Sequence, residues 1–132
     1  MIHTAHYVLI ALSVTLNWDD RKAILLSLAI LANVTIPFTD MAGTQGQFYF
    51  ICGAAELTIA ALALWLNITA SRYVVTMCVC LMGFHLLGFY LDGYPPNSPY
   101  RILVKIAEFA EIISCIVFSK PILELLIKCR QN

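Results

Sequence analysis

Two apolar stretches, 48–68 and 73–91, are each long enough as a helix to cross a lipid bilayer. The hydrocarbon core of a bilayer is about 30 Å thick and takes roughly 20 helical residues. Within lipid every backbone polar group has to be paired inside the protein, which leaves helices or a closed barrel as the spanning forms. Three further apolar runs, 2–16, 23–38 and 102–127, accompany these two, separated by polar or proline-bearing breaks at 17–22, 37–47, 67–72 and 92–100. Composition agrees: 61% of the 132 residues are hydrophobic and only 12% are charged, against about 25% charged in soluble domains. A soluble chain this short could not hide so much apolar surface from water.

The expected fold is therefore all-α: a polytopic transmembrane helix bundle of about five short-looped spans, with residues 1–132 forming a single integral membrane domain. The first two runs are only 15 and 16 residues long and span only with help from flanks such as Trp18. Three spans plus an N-terminal interfacial helical hairpin is the alternative. The fifth run is long and is expected to tilt or kink at Pro121. No basic stretch precedes the first run and no small-residue cleavage site follows it, so it is expected to stay in the mature protein.

Charge sets an orientation. Five spans with a cytoplasmic C-terminus place Arg21, Lys22, Arg72, Lys120, Lys128 and Arg130 inside, and leave Arg101, Asp40 and Asp92 outside. That is the positive-inside bias of plasma or inner membranes, and it puts the N-terminus outside. Formal net charge is zero, so nothing suggests capture of nucleic acid. Cys52, Cys78, Cys80, Cys115 and Cys129 are odd in number and mostly lie in apolar runs, which fits small packing residues better than a disulfide framework.

The polar residues inside the runs are not scattered. At 100° per residue, Arg101, Lys105, Glu108, Glu111, Cys115 and Ser119 fall within about a third of the helix circumference. Tyr49, Gly53, Glu56, Ala60, Ala63 and Asn67 form a narrower stripe, and the small residues Gly53, Ala60 and Ala63 suit close approach of another helix. Cys78, Leu81, His85, Gly88 and Asp92 align on the fourth run, and His3, His6, Ser13 and Asn17 on the first. A rise of about 1.5 Å per residue puts Glu56, His85, Glu108 and Glu111 within several ångströms of one depth. Charges at mid-bilayer cost about 2.5–3.5 kcal/mol each on insertion scales, so these groups are expected to face inward and share an environment. Lys105, three residues before Glu108, is placed to pair with it.

Ionisable groups inside a membrane are functional candidates by default. Glu56, His85, Lys105, Glu108 and Glu111 read as a pore lining or an ion or proton path, and otherwise as a satisfied network that fixes helix register. A metal site from His85 with two glutamates lacks close-spaced ligands, and His3 with His6, three apart on one helix face, is a weak pair for metal or haem that near an N-terminus reads more readily as interfacial. No phosphate loop, nucleophile elbow, dinucleotide motif or other cofactor signature appears. Asn33-Val34-Thr35 and Asn67-Ile68-Thr69 match the glycosylation pattern by accident of composition. The leading function is a small self-associating membrane protein that conducts ions as a homo-oligomer, holin-like or channel-like in size, although no motif identifies either family. The alternative is a non-conducting immunity, exclusion or assembly factor that docks a membrane-protein partner through its small-residue face. A membrane enzyme or cofactor carrier comes third.

The orientation is testable. A cysteine placed at Thr44 should be labelled from outside intact cells and one at Ser71 should not; the reverse pattern rejects the topology.

Overall fold

The computed structural model describes residues 2–36, 38–91 and 98–131. Among them the chain is all α: six helices of twelve residues or more and one short helical turn, with no strand. The elements are α1 (Ile2–Leu16), α2 (Arg21–Thr35), α3 (Phe38–Met41), α4 (Gln45–Leu66), α5 (Ser71–Leu91), α6 (Ser98–Val117) and α7 (Lys120–Gln131). Two segments, Gln45–Leu66 and Ser71–Tyr90, are long and apolar enough to cross a membrane.

Local chemistry explains the boundaries. Asp20 caps α2 by accepting from the amides of Lys22 and Ala23, and the Thr44 hydroxyl accepts from Gln47 N at the start of α4. Such caps satisfy amides that have no partner within the helix, and they start α2 and α4 before the apolar runs begin. Ile36, the residue before Pro37, is extended at φ −68° and ψ 127° and ends α2, as steric conflict with a following proline ring requires. Asn67 closes α4 in the left-handed region at φ 49°, which asparagine enters more readily than other residues with a side chain. Lys22 Nζ donates to Leu66 O at that same helix end, where a cation meets the negative pole of the helix.

The fifth apolar run is not one bent helix. α6 stops at Val117, and α7 starts at Lys120. Pro121 has no N–H to bond back to Val117, whereas it is tolerated in the first turn of a new helix. α7 has no buried residue. Of the proline-bearing break expected at 92–100, residues 92–97 lie outside the described residues, and Ser98, Pro99 and Tyr100 are already helical in α6.

α1, α2, α4, α5 and α6 pack in that order into a closed ring, with α6 returning to α1 and α2 also touching α6 across the middle. Each helix turns one face inward. On α1 that face is His6, Ile10 and Ser13, continued by Asn17 just past its end, and on α5 it is Ser71, Val74, Cys78, Leu81 and His85. On α6 it is Ala107, Glu108, Glu111, Ile112 and Cys115. A larger apolar cluster around Leu26, Ile30, Ile59, Ala63 and Ile112 fills the ring, and a smaller one of Phe48, Tyr49, Cys52 and Tyr100 closes one end.

Ala60 and Ala63 are buried inside this ring. They are covered by the protein's own helices and are not available to an outside partner. Gly53 departs from the expectation of a close approach: a Cβ placed on it meets nothing within 4 Å. The close approach is at Gly88, where a Cβ would lie 2.6 Å from Tyr49 Cε1 and 2.8 Å from Tyr100 Cε2. Both rings are buried and stack edge-to-face at 5.5 Å. Gly88→Ala should therefore destabilise the fold by about 1–3 kcal/mol through overpacking. Gly53→Ala should be neutral or stabilising by up to about 1 kcal/mol from helix propensity. Thermal unfolding in detergent measures both, and equal melting of the two variants contradicts the packing.

Candidate functional site: a polar column inside the ring

The five helices bring nearly all the polar stripes to their common interior. At one end the ring encloses a cavity of about 450 Å³. Its polar lining comes from Asn33 on α2, Glu56 on α4, His85 on α5, and Tyr100, Lys105 and Glu108 on α6. Arg101, which is exposed, also lines it. Four of the five candidates from the sequence thus share one space.

Glu108 is the hub on the α6 side. Lys105 Nζ donates to its Oε2 at 2.6 Å, one turn apart on the same helix. His6 Nε2 stands 3.6 Å from that same oxygen, and the His6 ring stacks on Phe109 at 4.2 Å. His6 is therefore a fully buried bundle residue and not half of an interfacial pair; the side chain of His3 lies outside the described residues. On the other wall Asn33 Nδ2 donates to Glu56 Oε1 at 2.8 Å, and His85 Nδ1 is hydrogen-bonded to Tyr100 Oη.

Glu111 sits one turn deeper than Glu108 on α6 and is fully buried. Cys78 Sγ donates to Glu111 Oε1 at 3.2 Å. Ligating atoms of Glu56, Cys78 and Glu111 all lie within 4.8 Å of one another, contributed by α4, α5 and α6. This grouping, found among the described residues, includes a thiol where the sequence suggested His85. Glu56 Oε2 and Glu111 Oε2 have no hydrogen-bond partner. An unpartnered buried acceptor costs about 1–3 kcal/mol, so two in one cluster are a feature that packing alone does not favour.

Beyond Glu111 the polar side chains continue. Ser13 Oγ and Ser27 Oγ are hydrogen-bonded at 2.9 Å, and Asn17 Nδ2 donates to Ser13 O at 2.8 Å and to Cys115 O at 3.2 Å. Asn17 and Cys115 line a second cavity of about 240 Å³ at the opposite end, beside Asp20, Lys120 and Glu124. Two cavities thus open at opposite ends of the ring, with a column of acids, a thiol and hydroxyls between them.

Three contributors do not stand out in the sequence. Asn33 is visible only once the inward face of α2 is drawn through Ala23, Leu26, Ile30 and Asn33. Cys78 reads as a packing residue there, although it shares a stripe with His85. Tyr100 falls in an expected loop and is helical in α6. The chain matches no family model, no curated protein and no solved structure.

The Asn33–Glu56 bond gives a direct test. Asn33→Leu strips the buried carboxyl of its hydrogen bond and should cost about 1–3 kcal/mol. Asn33→Leu with Glu56→Leu should recover part of that loss, because both polar partners are then gone. Strict additivity of the two single changes in detergent melts shows that the pair is not coupled.

Proposed function

We propose that this protein is an integral membrane protein that conducts or translocates cations, with the path running through the interior of a single five-helix protomer. The observation that carries the reading is the polar column: acidic groups buried at the centre, with Glu56 and Glu108 lining the cavity at one end and hydroxyl and amide side chains continuing toward the cavity at the other.

A lipid setting is supported by what the ring turns outward. Leu12, Leu57, Val79, Leu86, Ile106 and Ile113 are exposed around its middle. Exposed aromatic residues gather toward the ends: Trp18 at 74% and Trp65 at 75% near one, Phe50 at 76% and Tyr90 at 73% near the other. Tryptophan and tyrosine prefer the two interfaces of a bilayer. The interior holds Glu56, Glu108 and Glu111 beside an apolar cluster, whereas a soluble bundle keeps its acids on the outside. In this reading α1, α2, α4, α5 and α6 are the five spans. α7, with Lys120, Lys128 and Arg130 beside exposed Leu125, Leu126 and Ile127, lies along the cytoplasmic interface.

The location of the path differs from the oligomeric pore suggested by the α6 stripe. That stripe faces α1, α2 and α5 of its own chain, so no lumen between copies is needed to shelter it. A preference for cations is supported by the three acids Glu56, Glu108 and Glu111 against the two bases Lys105 and Arg101, because clusters of carboxylates favour cations in pores.

Reconstituted vesicles test this reading. Under an imposed membrane potential the wild type should pass cations, and Glu108→Gln should slow the flux. A loss of about 1.4 kcal/mol of cation stabilisation corresponds to about a tenfold fall. The outward-facing variant Leu64→Ala should conduct as the wild type does. A wild type that passes neither protons, alkali cations nor divalent metal ions is not a conductor.

A further inference from the structure

We propose that Glu56, Cys78 and Glu111 form a binding site for a borderline-soft divalent metal ion of the zinc or cobalt type. The inference deepens the conducting reading by naming the class of cation, and it rests on that reading only for the route of access.

Geometry comes first. Cys78 Sγ and Glu111 Oε1 are 3.2 Å apart, and Glu56 brings a carboxylate oxygen within 4.8 Å of both. Metal–sulfur bonds of about 2.3 Å and metal–oxygen bonds of about 2.0–2.2 Å set tetrahedral ligand separations of about 3.5 Å. The first pair is already near that spacing, and the Glu56 carboxylate, within 4.8 Å of both, has to draw in to make the third corner. The three residues come from three different helices, so a bound ion ties α4, α5 and α6 together.

A second observation is independent of the clustering. Glu56 and Glu111 are each more than nine-tenths buried, and each has one oxygen held and one without a partner. Asn33 occupies Glu56 Oε1, and the Cys78 thiol occupies Glu111 Oε1. A supporting hydrogen bond of the Asn33 kind is what orients a metal-binding carboxylate. The Asn33 Oδ1 atom, itself without a hydrogen bond in a buried side chain on the residue that holds Glu56, is a candidate for a fourth donor.

Donor chemistry sets the class. A thiolate among oxygens selects against calcium and magnesium, which take six or more oxygen ligands, and suits zinc, cobalt or their neighbours. On binding, the Cys78 S–H bond breaks and a metal–sulfur bond forms. The proton leaves through the 450 Å³ cavity that Glu56 lines. Two carboxylates and one thiolate then more than compensate the two positive charges of the ion, leaving the filled site one negative charge.

The test uses the full chain in detergent titrated with cobalt(II). The wild type should bind one ion per chain with a near-ultraviolet thiolate-to-cobalt charge-transfer band. Cys78→Ser should abolish the band while Cys80→Ser, Cys115→Ser and Cys129→Ser keep it. Glu56→Gln and Glu111→Gln should each weaken binding by at least about tenfold, and excess magnesium should not compete. Circular dichroism of every variant checks that it is folded. Should a glutamine variant fail that check, a chain with the other four cysteines changed to serine decides the matter: zinc should protect its Cys78 from a thiol reagent, and unprotected labelling rejects the site. No band in the wild type, or a band that survives Cys78→Ser, overturns the site. Binding without vesicle flux keeps the site and removes the conducting reading; flux without binding does the reverse.

Discussion

Burying carboxyl groups at the centre of a helix bundle is the constraint around which the rest of this structure is arranged. Glu111 is wholly inaccessible and Glu56 nearly so. Removing a charged or polar group from water is unfavourable unless partners replace the lost hydration. The partners of the two deepest acids come from other helices, Asn33 of α2 to Glu56 and Cys78 of α5 to Glu111, while Glu108 is met by Lys105 of its own helix with His6 of α1 beside it. The ring of α1, α2, α4, α5 and α6 is thus held by its polar interior as well as by its apolar cluster. A polar group in such an interior specifies one register, because sliding any helix by one turn would leave an acid without its partner.

The ends of the bundle are built to serve that interior. Gly88 allows the Tyr49 and Tyr100 rings to lie against α5, and Tyr100 in turn holds His85 at the cavity wall. At the other end Asn17 reaches across to Cys115 O and fastens the close of α1 to α6. Between the two, Ser13 and Ser27 join α1 to α2. The large side chains turned outward contribute nothing to this interior, and their pattern fits a surrounding solvent that is apolar at mid-height and mixed at both ends.

Much of the fold is legible in the sequence because helical periodicity and run length are strong signals. The five apolar runs correspond to the five ring helices, displaced by a few residues where Asp20 and Thr44 start a helix with a side-chain cap. The inward stripes on α1, α4, α5 and α6 follow from the same 100° rotation that places His6, Glu56, His85 and Glu111 in the interior. Direction along one helix says nothing of which helix stands opposite. That is why Lys105–Glu108, a contact within one helix, can be anticipated, while Asn33–Glu56 and Cys78–Glu111 cannot. Gly53 misleads for a related reason: a small residue on a polar stripe signals close approach only if a neighbour occupies that height, and the neighbour is at Gly88 instead. The break of 102–127 into α6 and α7 follows from Pro121, whose missing N–H ends the preceding helix outright and does not merely bend it.

The most direct measurement is the accessibility of spin labels in reconstituted vesicles. Labels at Leu57, Val79 and Ile106 on the outside of the ring should collide freely with dissolved oxygen and be shielded from a water-soluble nickel chelate. Labels at Cys52 and Val104, which line the larger cavity, should show the opposite preference. A nickel-accessible exterior, or a cavity closed to the chelate, contradicts a lipid-embedded ring with a water-reachable acidic centre.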